Sequence, residues 1–251
     1  MPSFTALVRP PGTLFPQAIS NHPEKTKIDL PRALSQHQKY VEALKQLGGD
    51  ILSLPSEDSL PDSTFVEDTA FVLGVTAYLC SAKEESRRDE VDSVARVLKK
   101  HRQTFQLKPY IDGGDILNTP DTLYVGVSER TNEEAIQYFS KQIDKEVVPV
   151  PVLKGLHLKS AVSYLGKNIL LIDPERVNTG PFKTFEWIEV EEKESYAANC
   201  LAIGNQIIMP AGFRAVGEKI REHGFDTVEV DMREFEKADG GITCLSIILP
   251  E

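Results

Sequence analysis

Cys244 stands at the edge of the last apolar run of the chain, Ala238-Asp239-Gly240-Gly241-Ile242-Thr243-Cys244-Leu245-Ser246-Ile247-Ile248-Leu249. A glycine pair there reads as a turn that delivers a β-prone stretch with one thiol at its start. Free cysteine is usually a small core hydrophobe, but its thiolate is also a strong nucleophile. Reactive groups upstream give the second reading weight. His157, in Gly155-Leu156-His157-Leu158-Lys159-Ser160, has apolar neighbours on both sides, so it is either a satisfied core histidine or a proton carrier. Asp112-Gly113-Gly114-Asp115 reads first as a turn, yet two acids flanking a flexible corner could aim one carboxylate at an imidazole. Phe65-Val66-Glu67-Asp68-Thr69-Ala70-Phe71 places two adjacent acids inside a predicted strand. Neighbouring strand residues point to opposite faces, so one carboxylate faces inward and needs a cation. Asp62 could add a third acid.

Arg88 and Arg130 each stand at the start of a predicted helix, where positive charge opposes the helix dipole. That placement suits an anion such as a carboxylate held bidentately. Arg87 reads as a solvated side chain. His22, His37, His101 and His223 sit in polar loops or helix flanks and invite no special role.

The elements that must carry these groups follow a recurring order. Phe4 to Val8 is a short strand, followed over residues 10–31 by a stretch with five prolines and little periodicity, a long loop of the kind that forms lids. Arg32 to Leu47 has helical spacing and Ile51 to Leu54 returns as a strand. Phe65 to Leu73 and Thr76 to Cys80 form a predicted hairpin about Gly74, then a helix capped by Ser86 with an apolar stripe at Val91, Val94, Ala95 and Leu98, then a strand from Phe105 to Tyr110. The order repeats with Ile116-Leu117, Leu123 to Val127, a helix started by the capping-box sequence Thr131-Asn132-Glu133-Glu134, and Glu146 to Val150. A third round comprises Leu158 to Leu165, Ile169 to Ile172, a weak segment near Pro174 to Val177, and Phe185 to Val190. A fourth runs through Asn199 to Ile203, Gln206 to Met209, a helix over Ala211 to His223, and Thr227 to Val230. A fifth closes if the strand after Cys244 pairs with Phe4 to Val8. Five strand-strand-helix-strand units at a spacing of roughly 40 to 50 residues suggest a closed α/β ring, with a two-layer α/β fold of mixed sheets as the alternative.

At 251 residues, 41% hydrophobic and 26% charged, the composition is that of an ordinary globular chain. A net charge of -10 argues against nucleic acid or an anionic membrane as partner. No stretch approaches the roughly 20 apolar residues of a membrane span. The opening Met1-Pro2-Ser3-Phe4 lacks the pattern of a secretory leader, and three widely spaced cysteines form neither a disulfide framework nor a zinc pattern. A cytoplasmic protein with reduced thiols is expected.

In this order and spacing, the quoted motifs, together with Leu60-Pro61-Asp62, Ser86-Arg87-Arg88, Tyr124-Val125-Gly126-Val127-Ser128-Glu129-Arg130-Thr131-Asn132 and Ala198-Asn199-Cys200, resemble the dimethylarginine dimethylaminohydrolase family of guanidino-group-modifying enzymes. The resemblance spans nearly the whole chain. It implies one catalytic domain over residues 1–251, folded as a five-bladed α/β propeller of ββαβ units in which the N- and C-terminal segments share a blade. It also implies hydrolysis of asymmetric dimethylarginine or monomethylarginine to citrulline and a methylamine, with no metal or organic cofactor, in a monomer or homodimer. By the same resemblance Cys244 matches the nucleophile, His157 the general acid and base, and Asp112 the carboxylate orienting it. Asp68, helped by Glu67, matches the guanidinium clamp, and Arg88 and Arg130 the contacts to the substrate α-carboxylate. Asp62, Ala238 and Asp239 line the site, and Ile19 matches the lid residue whose carbonyl takes the α-amine. Asp112 stands where some relatives carry Glu, and Val177 to Glu194 matches the family poorly.

The chemistry suits these residue types. A guanidinium carbon is a poor electrophile, so it calls for a thiolate, and a bound cation would itself lower the thiol pKa. Other readings keep the chemistry on another guanidino or ureido substrate, transfer the amidino group to an amine, or make the chain a non-catalytic amino-acid binder. The last needs the clamp but not the nucleophile.

Overall fold

The computed structural model describes residues 4–250, so Met1-Pro2-Ser3 and Glu251 lie outside it. Its 15 strands form five three-stranded sheets. The first contains β1 (Phe4–Val8) between β15 (Ser246–Pro250), antiparallel to it, and β2 (Gly49–Ser53), parallel to it. The second is β3 (Ala70–Leu73), β4 (Thr76–Leu79) and β5 (Gln103–Gln106). The third is β6 (Ile116–Asn118), β7 (Thr122–Val127) and β8 (Glu146–Pro151). The fourth is β9 (Val162–Gly166), β10 (Ile169–Ile172) and β11 (Glu186–Glu189), and the fifth β12 (Leu201–Ile203), β13 (Gln206–Pro210) and β14 (Asp226–Val230). Every sheet repeats one scheme, an antiparallel pair followed by a parallel third strand.

A parallel return needs a crossover, and in four blades it is an α-helix. These are α1 (Leu30–Gln46), α2 (Glu90–Leu98), α3 (Glu133–Ser140) and α4 (Arg214–Glu222). A short α5 (Arg233–Glu236) precedes the last strand. Asp29 caps α1 by accepting from Arg32 N, and Asn132 caps α3 by accepting from Ala135 N, each side chain filling one of the donors a helix start leaves open. The fourth sheet crosses over without an α-helix, through a 3-10 turn at Gly180–Phe182 whose Phe182 is buried. The weak periodicity around Pro174 to Val177 reflects that difference.

The apolar faces merge into five cores, each shared by neighbouring sheets. Leu7, Ala70, Leu79, Val94, Ile247 and Leu249 form one of them, which welds the terminal strands to the second sheet. The first strands of the sheets surround a common central cavity of about 320 Å³, reached by Phe71, Leu117, Tyr164, Ala202 and Ile248. This is a five-bladed α/β propeller, closed by β15 pairing with β1. Among the described residues no helix is long and apolar enough to cross a membrane.

Three local expectations need correction. Glu67 and Asp68 do not lie in a strand; Val66–Thr69 is a 3-10 turn and β3 starts at Ala70, so strand alternation does not govern them and both carboxylates are buried. Ser86 does not cap the second helix. It sits in a separate 3-10 turn, Glu85–Arg87, and α2 starts at Glu90. That turn carries Arg87 inward to only 4% exposure, against the expectation of a solvated side chain.

Leu7→Ala should lower unfolding free energy by about 2–5 kcal/mol, the usual cost of an Ala substitution at a packed Leu. Urea denaturation measures it, and a loss below about 0.5 kcal/mol, the size of an ordinary surface change, would mean that ring closure does not depend on this contact.

Candidate functional site

A 3-10 turn leads into the first strand of every blade. These turns are Val66–Thr69, Gly113–Asp115, Leu158–Ser160, Glu192–Ala198 and Thr243–Leu245. They pack against one another at one end of the ring. Each delivers polar side chains to the same place: Glu67 and Asp68, Asp112 at the head of the second turn, His157 at the head of the third, Asn199 after the fourth, and Cys244 within the fifth.

The imidazole is the centre of the charge arrangement. His157 Nε2 lies 3.0 Å from Asp112 Oδ2, and Nδ1 lies 3.9 Å from Asp68 Oδ1. All three side chains are buried. Burial disfavours a charged ring, but Asp68, Asp115 and Asp112 together outweigh it and push the His157 pKa up to about 9. The ring is therefore a cation at neutral pH, faced by a carboxylate at each of its nitrogens. Close approach at this corner requires glycine: a Cβ on Gly114 would come within 2.7 Å of both Asp68 Oδ1 and His157 Nδ1, and one on Gly113 within 2.0 Å of the Glu67 carbonyl. Gly114 N also donates to Asp68 Oδ1 at 3.2 Å.

Asp68 is bound on its other side. Arg87 donates to Asp68 Oδ2 at 2.9 Å and makes three hydrogen bonds to the Glu90 carboxylate, all in buried surroundings. Burial works against the Asp68 charge, yet His157 and Arg87 hold its pKa below the ordinary carboxylate value. Arg87 is thus a site residue that sequence reasoning missed. The available signal was its position beside Arg88 in a segment predicted to be a helix start. The alternation of the 3-10 turn, which sends one arginine inward and the next out, was not readable.

Arg88 is half-exposed, with its guanidinium 5.5 Å from the Tyr110 ring centre and its NH2 3.3 Å from the Tyr110 hydroxyl. Arg130 is buried. Its Nε is 3.9 Å from Glu84 and its buried Nη1 has no hydrogen-bond partner among the described residues. Its charge, with that of Arg87, acts on both Asp62 and Asp68. Asp62 accepts from Ile19 N at 3.1 Å, which ties the 10–31 segment to the site; Ile19 itself is 40% exposed. Burial is the main cause that raises the Asp62 pKa.

Glu67 is not a free clamp. Its Oε1 takes Lys159 Nζ at 2.6 Å and its Oε2 takes the Thr243 hydroxyl at 2.6 Å. These groups also border the central cavity, so the Glu67–Lys159 pair lies between that cavity and the turns. Ala238 has its side chain in the apolar core with Phe65 and Phe235. Asp239 is exposed, with φ of 55°, and its carboxylate accepts from Asn21 N at 2.7 Å.

Cys244 opens into a cavity of about 440 Å³ that also touches Asp239, Gly241, Asn199 and Leu156, the neighbour of His157. Its Sγ accepts from Gly241 N at 3.3 Å. Burial, then Glu67 and Asp68, push its pKa well above the usual thiol value. Cys244 is thus a neutral thiol at neutral pH, and a cation bound near Asp68 would stabilise its thiolate.

Known proteins fall into place beside this geometry. Residues 15–249 match the model of a family described as N,N dimethylarginine dimethylhydrolase, eukaryotic. The chain is similar to N(G),N(G)-dimethylarginine dimethylaminohydrolase of Pseudomonas aeruginosa, 36% identical over 88% of this chain and 90% of that protein. It is also similar to the protein of that name from Streptomyces coelicolor, 37% identical over 100% of this chain and 99% of that one. Its structure superposes with a TM-score of 0.94 on a Cys-to-Ser mutant of the Pseudomonas aeruginosa enzyme complexed with citrulline, at 32% identity and covering 98% of this chain and 100% of that one.

The raised His157 pKa makes stability depend on pH. The folded ring keeps its proton up to about pH 9, whereas an unperturbed imidazole loses it near 6.5. Its stabilising contribution is complete below 6.5 and fades as pH rises toward 9. Urea midpoints of the parent should fall over that window while those of His157→Gln stay more nearly level; equal slopes would show that the carboxylates do not hold the ring protonated.

Proposed function

The chain belongs to the dimethylarginine dimethylaminohydrolase family, and on that premise we propose that it hydrolyses asymmetric dimethylarginine and monomethylarginine to citrulline with release of dimethylamine or methylamine. The observation that carries this reading is the buried Asp68–His157–Asp112 cluster, whose Asp68 lies on a turn packed against the one that bears Cys244. It provides a cation-binding carboxylate, a proton donor and a nucleophile without a cofactor.

In the proposed reaction the substrate guanidinium binds in plane against Asp68, whose Oδ2 is already fixed by Arg87. The added positive charge lowers the Cys244 pKa, and the thiol gives its proton to solvent, since His157 already carries one. The thiolate adds to the guanidinium carbon, and His157 transfers its proton to the departing methylated amine. A thiouronium remains on sulfur. His157, now neutral, takes a proton from water, the hydroxide adds to the same carbon, and the C–S bond breaks to give citrulline and the free enzyme. Preorganised charge keeps the cost of these proton movements low.

Arg130 Nη1, buried and without a partner among the described residues, fits the substrate α-carboxylate. Asp62, with Ile19 above it, fits the α-amine. Arg88 serves the rim beside Tyr110, and Asp239 the approach to Cys244, with Ala238 packed in the core behind it. We place the activity in one catalytic domain over residues 1–251, working in the cytoplasm as a monomer or homodimer.

Citrulline formation from a panel of asymmetric dimethylarginine, monomethylarginine and arginine tests the assignment. Turnover of the methylated substrates is expected, and its absence alongside turnover of another guanidine would transfer the chemistry to that substrate. Cys244→Ser should retain substrate binding and lose all turnover; residual citrulline formation would remove sulfur from the reaction. Arg130→Ala should raise KM more than it lowers kcat, the pattern of a contact made equally in ground and transition states. The opposite pattern would bring Arg130 into the chemistry.

A further inference from the structure

Four of the five convergent turns supply a group to the proposed reaction or to its clamp; the turn that leads into the fifth sheet, Glu192–Ala198, supplies none. What it brings to the ring is Asn199, the residue after it, which is 5% exposed. Its Oδ1 accepts from Thr243 N at 2.9 Å, and its Nδ2 donates to the Thr243 hydroxyl at 2.9 Å and to the Lys159 carbonyl at 2.8 Å. One amide therefore grips the residue before Cys244 at two points and the residue two after His157 at a third.

Two neighbours extend this grip. A Cβ on Gly241 would lie 2.4 Å from Asn199 Oδ1, so glycine lets that backbone close on the amide, and Gly241 N is the donor to Cys244 Sγ. The Thr243 hydroxyl passes its proton interaction on to Glu67 Oε2, while Lys159 holds Glu67 Oε1. Asn199, Thr243, Glu67 and Lys159 form a closed loop of hydrogen bonds joining four turns.

We propose that Asn199 is a positioning residue for the nucleophile: it pins the turn of Cys244 to the turn of His157 and so sets the place of the thiol relative to the proton carrier. This rests on the roles given above to Cys244 and His157 and assigns a function to a residue those roles leave idle. The physical basis is rigidity. A buried amide with three of its bonding positions engaged on neighbouring backbone and hydroxyl groups has no alternative arrangement of comparable energy. Displacing a reacting group by about 1 Å costs on the order of 100-fold in rate. Asn199 makes no hydrogen bond to Asp62, Asp68, Arg87 or Arg130, so its loss acts on the reaction step rather than on the hold on substrate.

The test compares Asn199→Ala and Thr243→Val, singly and together, in the full chain, with thermal melts confirming folding. Thr243→Val is nearly isosteric, keeps the backbone N–H and removes only the hydroxyl, so it carries the test if the alanine variant does not fold. Each variant should lose about 10- to 100-fold in kcat, with KM and citrulline affinity within about threefold. The double variant should lose little more than the poorer single one, because both cut the same tether.

A folded Asn199→Ala enzyme with kcat within about threefold of the parent overturns the proposal. So does a rise in KM that matches the loss of kcat, which would make Asn199 a substrate contact, or full multiplication of the two losses in the double variant. Inactivation by 2-chloroacetamidine, followed by intact mass at Cys244, separates this result from the fate of the substrate assignment. Its maximal rate should fall by the same factor with half-saturation unchanged, even if no methylated arginine is turned over.

Discussion

Charge balance among buried side chains is the constraint on which the site depends. Around the convergent turns the charges alternate: Glu90, Arg87, Asp68, His157, Asp112, each in contact with the next. Ions of this kind are costly to bury singly and tolerable only as a paired, hydrogen-bonded series. The alternation fixes the imidazole as a cation and leaves the thiol neutral, because the proton goes where carboxylates can face it. Burial raises the Glu90 pKa to about 7 in spite of Arg87, so the far end of the series lies near its own balance point at neutral pH.

A neutral thiol is a poor nucleophile, and in the proposed reaction that is an advantage. In that reaction the thiolate forms when a cation occupies the space near Asp68, which couples reactivity to the presence of substrate. The same electrostatics favours a flat, delocalised cation over neutral amino acids. Glu67, held by Lys159 and Thr243, contributes to the high thiol pKa without reaching toward the ligand as an open acceptor.

The propeller makes this arrangement possible by repetition. Each blade starts with a tight turn and an inner strand, so five turns meet at one end of the ring although their residues are far apart in the chain. The helices matter less to the chemistry. The fourth sheet crosses over through Gly180–Phe182 instead of an α-helix, yet its 3-10 turn Leu158–Ser160 still presents His157 in register. What must be conserved physically is the inner strand and the turn before it, and the shared cores hold those inner strands against one another.

Much of this was legible in the residues. Alternating apolar runs and helical spacing marked nearly every strand and four crossover helices, and the β-prone run after Cys244 was recognisable as the partner of Phe4 to Val8. Those patterns are local consequences of side-chain periodicity, which a sequence displays directly. The pairing of Asp112 with His157 could be expected from residue types and from resemblance. The inward turn of Arg87, the engagement of Glu67 by Lys159 and the grip of Asn199 on Thr243 could not. Each depends on which way a single turn of 3-10 helix rotates and on what another blade brings opposite it, and both are settled only when the cores pack and the ring closes.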